Sequence, residues 1–468
     1  MPAVPGRITT AVVLGLCLAA AAGIACAQED AGGGRAAAGD GEELAPAPLV
    51  PGGAATVRGT PRLGRAAGLR GASDRYVDAS PLPPLGRGAG IRLGSRWVFL
   101  PSVSASVAYD DNVDAAPSGE REDDVVGTAS LQGRLQSTLA RHSFGVGGVL
   151  SRSLFAQDTR PSAFNWSIGA DARLDLDRRS ALDADLAYTR DQVDTTDPDQ
   201  ADLLRADATD PDDARLEDRF DSLNLGLGYS RRAAEWSGRI DTSLDRITFA
   251  ETDDGDRLTV GVGGSLRRDI GRALGVSVTP AYRRSFFAEP SADGLDRDSQ
   301  RFQLGAGADY SWPFGLRLGV TVSPVYIDFI DPERDDDFNI DVDFDIDLGD
   351  ERGIPLTRQT TLTVEAGRTT DVSTAEDFST RTSTFAGADV THVIGPSLSA
   401  GGGLGVSRDS FDDGDRVDHD IDVGARLSYA IRSGATATLS YAFTKRFADD
   451  ADNEFYRNTV RLGVTLAF

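Results

Sequence analysis

After residue 26 this 468-residue chain contains no cysteine; Cys17 and Cys26 are the whole complement. Disulfides, thiolate metal sites and cysteine nucleophiles are therefore excluded from everything downstream. Histidine is nearly as scarce, at His142, His392 and His419 alone. Long apolar runs are missing too. The one stretch that stands out, about 14 residues from Ala11 to Ile24, is too short to cross a bilayer as a helix. The mean hydropathy of −0.26 argues in the same direction. Basic charge is short as well: 48 lysines and arginines face 73 acids, a formal charge of −25. With no basic stripe, nucleic acid is not expected as a partner. What is abundant is glycine, 52 residues beside 40% hydrophobic ones, which fits neither disorder nor collagen.

The first residues read as an address. Arg7, the apolar stretch and Ala25-Cys26-Ala27 have the three-part layout of a secretory signal peptide over 1–27, with Gln28 as the first mature residue. Acylation of Cys26 competes with this, but Gly23 stands where a lipobox needs a large aliphatic side chain. Residues 28–93 are rich in Ala, Gly, Pro and Arg and have no hydrophobic period. Such a segment cannot bury enough apolar surface to offset its ordering entropy, so a disordered periplasmic segment is expected there.

From Trp97 onward the period is two. Phe164, Trp166, Ile168, Ala170, Ala172 and Leu174 alternate with Asn165, Ser167, Gly169, Asp171, Arg173 and Asp175. One face is apolar and the other polar, the mark of a half-buried strand. The pattern recurs at Leu223 to Tyr229, Phe302 to Trp312, Phe338 to Leu348, Ile421 to Tyr429 and Ala435 to Phe443. About eighteen such segments fit between Trp97 and Phe468, each near the ~10 residues a tilted strand needs to cross an outer membrane. Connections alternate between tight turns, such as Asp177-Arg178-Arg179-Ser180, and longer acidic loops, such as Asp110 to Asp124. Short periplasmic turns and long external loops give that rhythm. The expected fold is all-β: an antiparallel up-and-down transmembrane barrel of about eighteen strands over 94–468, with both termini periplasmic. Nine of the ten tyrosines fall in this region on the apolar face, and the register puts each near a strand end. Two interfacial aromatic girdles explain that placement. Outer-membrane lipid and lipopolysaccharide are then the surroundings.

The final strand alternates Val460, Leu462, Val464, Leu466 and Phe468. It resembles the assembly signal of Gram-negative barrel proteins, which implies the barrel assembly machinery as a partner engaged through Phe468. At the other end of the barrel, Val107-Ala108-Tyr109-Asp110-Asp111-Asn112-Val113 resembles the Y-D-[DS]-N-[VI] element of the Putative β-barrel porin 2 family of proteobacterial outer-membrane proteins. The resemblance covers residues 90 to 468 and implies location and fold more than substrate. Some related barrels look like partners of exopolysaccharide export proteins, so an export conduit stands as an alternative to a passive pore. A structural or surface barrel without transport is a third.

Chemistry has few candidates. The three histidines share no parity or segment that would bring two together, so no catalytic residue is expected. Asp253-Asp254-Gly255-Asp256-Arg257 recurs as Asp412-Asp413-Gly414-Asp415-Arg416. Asp-Gly suits a tight loop tip, and the Glu of an EF-hand is absent, so neither metal nor cofactor is expected. The loop from Asp191 to Asp218 is the longest and most acidic. The sharpest feature is in the twelfth segment, where Asp341, Asp343, Asp345 and Asp347 share the polar face. Asp171, Asp175, Asp418, Asp420 and Asp422 lie on the same face of other segments. These nine are the candidate pore-lining acids. Two readings of them stay open: a field that favours cations, or acids paired with arginines across strands.

Overall fold

The structure, a computed structural model, describes residues 90–192, 219–250, 256–290, 294–312, 316–332, 336–348, 354–357, 359–373, 380–412, 416–432, 434–449 and 453–468. Within the strands, the side chains of 163, 316, 317, 343–348 and 354–357 fall outside that description. So do the signal peptide, residues 28–89, and most of the Asp191 to Asp218 loop.

A short strand, β1 (Ile91–Leu93), folds back on the start of β2 (Trp97–Asp110) through Leu93↔Trp97. Residues 91–93 are thus ordered where the composition suggested disorder; three residues are too few to leave a periodic signal. There follow β3 (Asp124–Ser137), β4 (His142–Phe155), β5 (Ala163–Asp175), β6 (Ser180–Gln192), β7 (Arg219–Ala233) and β8 (Trp236–Phe249). Next come β9 (Arg257–Ile270), β10 (Leu274–Phe287), β11 (Ser299–Ser311), β12 (Leu316–Phe329) and β13 (Asp337–Leu348). After the short β14 (Ile354–Thr357) come β15 (Thr360–Val372), β16 (Thr380–Val393) and β17 (Leu398–Phe411). The series ends with β18 (Val417–Arg432), β19 (Ala435–Ala448) and β20 (Phe455–Ala467).

Eighteen of these, all but β1 and β14, form one closed antiparallel barrel. Each strand pairs with its sequence neighbours, and β2 closes on β20 from Ser102↔Ala467 to Asp110↔Thr459. Closure matters because hydrocarbon offers no partner to an open edge, where each bare N–H or C=O costs several kcal/mol. The alternation read from the sequence holds along these strands. Leu227, Ile240, Leu304, Leu404 and Leu462 are exposed on the outside, whereas Ser102, Ser323, Asp418 and Arg446 are buried inside. The outward aromatics stack across strands, as in Trp166 with Tyr188 at 4.9 Å and Tyr282 with Phe302 at 5.0 Å between ring centroids. One placement differs from expectation: Tyr441 faces outward but sits mid-strand on β19, where its hydroxyl bonds Asn458 at 2.8 Å.

Turns and loops segregate to opposite ends. Trp97 and Ala467 both lie at the turn end, as do the connections at 138–141, 234–235 and 271–273. The rhythm breaks once. Between β13 and β15 the turn end carries an insertion, in which β14 pairs with β15 through Ile354↔Leu362.

Candidate functional site: the lumen wall

Charge on the inner face is gathered in two arcs. The first runs along the turn end from β3 to β11. Arg134 meets Asp171 at 2.6 Å, Arg173 meets Asp175 at 3.1 Å and Asp183 at 3.2 Å, and Arg239 reaches Asp183 at 3.1 Å. Arg267 bonds Asp269 at 2.8 Å and also Asp309. Three of these pairs join strands that are not neighbours: β3 to β5, β8 to β6 and β9 to β11. In each case the strand between presents a glycine inward, namely Gly145, Gly228 and Gly275. A Cβ on Gly145 would come within 2.6 Å of both Arg134 Nη2 and Asp171 Oδ1. The glycines are notches in the wall. Ion pairs lie flat in them instead of projecting into the bore.

The second arc is at the loop end, on β11 to β20 and β2. Arg301 bridges Asp341 at 2.7 Å and Asp371 at 2.6 Å. Arg381 meets Asp409 at 3.1 Å, Arg416 meets Asp418 at 2.8 Å, and Arg446 holds Asp420 at 2.8 Å. Thr444 donates to Asp422 at 2.7 Å. Removing one partner of such a buried pair would strand the other and cost about 3–5 kcal/mol.

Of the nine acids singled out by pattern, Asp171, Asp175, Asp341, Asp418, Asp420 and Asp422 face inward, and each has a named donor. They do not converge on one point but are spread over both arcs. Asp343, Asp345 and Asp347 occupy alternate backbone positions with Asp341, but their side chains lie outside the described ones. Two further acids stand apart, Asp185, which the parity also places on this face, and Asp245, which was passed over. Among the described residues Asp185 and Asp245, on β6 and β8, have no ion pair, and each is close enough to feel the other's charge. Asp245 shares the parity of Asp241, which would have found it. The arginine partners were not legible, because pairing depends on which residue stands opposite across one or two strands.

The Tyr109-Asp110-Asp111-Asn112 element closes the barrel at the loop end. Asp110 accepts from Arg457 at 2.6 Å and from Thr459 at 3.1 Å. Asp111 accepts from the main-chain N–H of Asn458 at 2.6 Å and its side-chain amide at 2.8 Å, and pairs with Arg121 at 2.6 Å. Asn112, 0% exposed, donates to the carbonyls of Ala116 at 2.8 Å and Tyr456 at 2.9 Å. Three consecutive side chains thus clasp the first barrel strand to the last. Burial pushes the Asp111 carboxyl up, but the bonds from Asn458 and Arg121 outweigh it and hold the group below its ordinary value.

The histidines sit on three strands. His142 opens β4, rather than lying in a turn, and accepts from the Asp175 N–H at 3.2 Å. His392 bonds Thr360 at 2.8 Å, and His419 is exposed on the outside of β18. Among the described residues no group of three His, Cys, Asp or Glu side chains is placed to hold a metal ion.

A closed antiparallel barrel, apolar outside and charged inside, defines a porin-like outer-membrane protein. The chain belongs to the Putative beta-barrel porin 2 family, whose sequence pattern matches residues 83–314 and 355–468. No curated protein matches the sequence. Among solved structures it is similar in fold to the siderophore receptor PirA of Acinetobacter baumannii, at 6% identity and a TM-score of 0.44, covering 79% of this chain and 80% of that one. It is likewise similar to OpdL of Pseudomonas aeruginosa, at 12% identity and a TM-score of 0.43, covering 80% of this chain and 98% of that one. An anion-selective porin of Comamonas acidovorans matches at 14% identity and a TM-score of 0.33, over 80% and 99%.

Proposed function

We propose that this barrel is a passive pore for small hydrophilic solutes with a preference for cations. The observation that carries the reading is the wall itself: its ion pairs lie in glycine notches, and barrels of this strand number leave an aqueous channel when side chains do not fill them. Paired acids contribute little net field. The preference rests on the acids outside ion pairs, Asp185 foremost and Asp245, whose charge Arg283 and Arg257 offset in part, with Asp343, Asp345 and Asp347 sharing the inward parity of Asp341. Low-dielectric walls focus such charges along the axis.

Reversal potentials in a salt gradient test this. Asp185→Asn with Asp245→Asn should lower cation-over-anion permeability by about twofold, most visibly at low ionic strength. Asp420→Asn with Arg446→Gln, which removes both charges of a neutral pair, should instead leave selectivity nearly unchanged, whereas Asp420→Asn alone strands Arg446 and should lower stability. Equal selectivity in the wild type and the double variant would remove the cation preference. Absence of steady conductance would remove the pore.

A further inference from the structure

One seam of the barrel is not like the others. β13 and β15 pair only from Val342↔Arg368 to Asp347↔Thr363, in the turn-end half. Toward the loops, Asp337 to Asp341 and Thr369 to Val372 have no ladder with each other among the described residues. The sheet overlaps itself there. Val372, on the parity that β15 turns outward lower down, packs against Val325, Ile327 and Phe329, which β12 turns inward. Thr380 and Thr382 of β16, on that same outward parity, bond the inward side chains of β13. Asn339 donates to Thr382 at 3.0 Å, and the Thr380 hydroxyl, which donates to Asp412 at 2.6 Å, also lies 3.2 Å from the Asp337 carboxylate. The loop ends of β15 and β16 are tucked inside the lip formed by β12 and β13.

Two details mark this as a built arrangement rather than a frayed one. The Ile340 N–H is met by the Asn339 side chain at 2.9 Å, and Arg368 donates to that same Asn339 oxygen at 2.9 Å. A side chain thereby satisfies one N–H of a stretch that hydrocarbon would otherwise penalise. Meanwhile Asp341 Oδ1 and Arg301 Nε are buried there without hydrogen-bond partners. The family pattern, which matches on both sides, passes over 315–354, the stretch that supplies the outer lip.

We infer that the β13–β15 seam is a lateral gate, through which an amphiphile with an apolar chain passes between the lumen and the bilayer at the loop end. The tucked lip holds it shut by a handful of polar pins and one apolar contact. When the lip withdraws, Val325, Ile327 and Phe329 form an apolar track on an otherwise polar wall, beginning at the gap. The ladder below Val342 keeps the barrel whole while the upper half parts. This function goes beyond the aqueous pore and does not depend on it.

Uptake of the apolar dye N-phenyl-1-naphthylamine by cells carrying the protein tests the gate. Asn339→Cys with Thr382→Cys, bridged by a short membrane-permeant bis-thiosulfonate, should bring uptake down to that of cells without the protein, and reductant should restore it. Asn339→Ala, which removes the pins to Thr382 and Arg368, should raise uptake. Conductance of the bridged barrel in planar bilayers should equal that of the reduced one. Dye uptake that ignores the bridge, or that in wild-type cells never exceeds cells lacking the protein, overturns the gate. A bridge that abolishes dye uptake and conductance together also overturns it, since the lip would then be blocking the bore.

Discussion

Asp111 sits just past the end of β2, and its carboxylate is held by donors that come mostly from β20. Its folded pKa lies below the unfolded one, so the sign of its linkage is settled. The contribution to stability is complete above the unfolded value, near pH 4, and is lost as pH falls through the folded value. Acid should therefore loosen the clasp before it unfolds the barrel. Protection factors of the amides at 111–113 and 456–458, taken against the intrinsic exchange rate at each pH over about pH 5 to pH 2, should fall with acidification in the wild type. In Asp111→Asn the protection should be lower at the upper end and flat across the range. A wild-type profile equally flat would mean that this carboxylate does not govern the closure. The resemblance of this motif was visible in the sequence, but its job was not. Nothing in a linear pattern says that residues 110–112 and 456–459 meet.

At the scale of elements, the notches decide how charge is carried. Gly275 on β10 lies under the Arg267 and Asp309 side chains, which come from β9 and β11. Even the methyl of Gly275→Ala would displace that pair into the bore. The variant should lose about 1–3 kcal/mol in urea unfolding and show smaller single-channel conductance. Gly119→Ala, which meets nothing within 4 Å, should change neither. Unaltered conductance in both would mean that the pair never lay flat. The face of most strands was legible because lipid demands an unbroken apolar stripe, as along Phe164 to Leu174 or Ile421 to Tyr429, whereas Phe144 to Phe155 fits either register. The strand-skipping pairs were not legible, since they need a register and a glycine on a third strand. Nor was the tucked seam. Thr370 and Val372 continue the period-two parity of β15 while their surroundings change from bilayer to barrel interior.

For the whole molecule, segregation of turns from loops fixes two ends and leaves open which faces the cell exterior. We propose that the longer acidic connections lie outside, with both ends of the barrel chain in the periplasm. Cysteines at Gly294 or Asp412 should react with a bulky maleimide on intact cells, and those at Ser95 or Glu235 only after permeabilisation. The opposite pattern would turn the barrel over. The clasp has a consequence of another kind. A barrel chain broken off before Phe455 carries Asp110, Asp111 and Asn112 with no counterparts and a first strand whose outer edge stays bare. No shorter version can imitate the finished one, because the earliest-made strand waits on the latest. Quality control is in that sense written into the connectivity: a protease that recognises a loose first strand needs no other information to tell a truncated copy from a complete one.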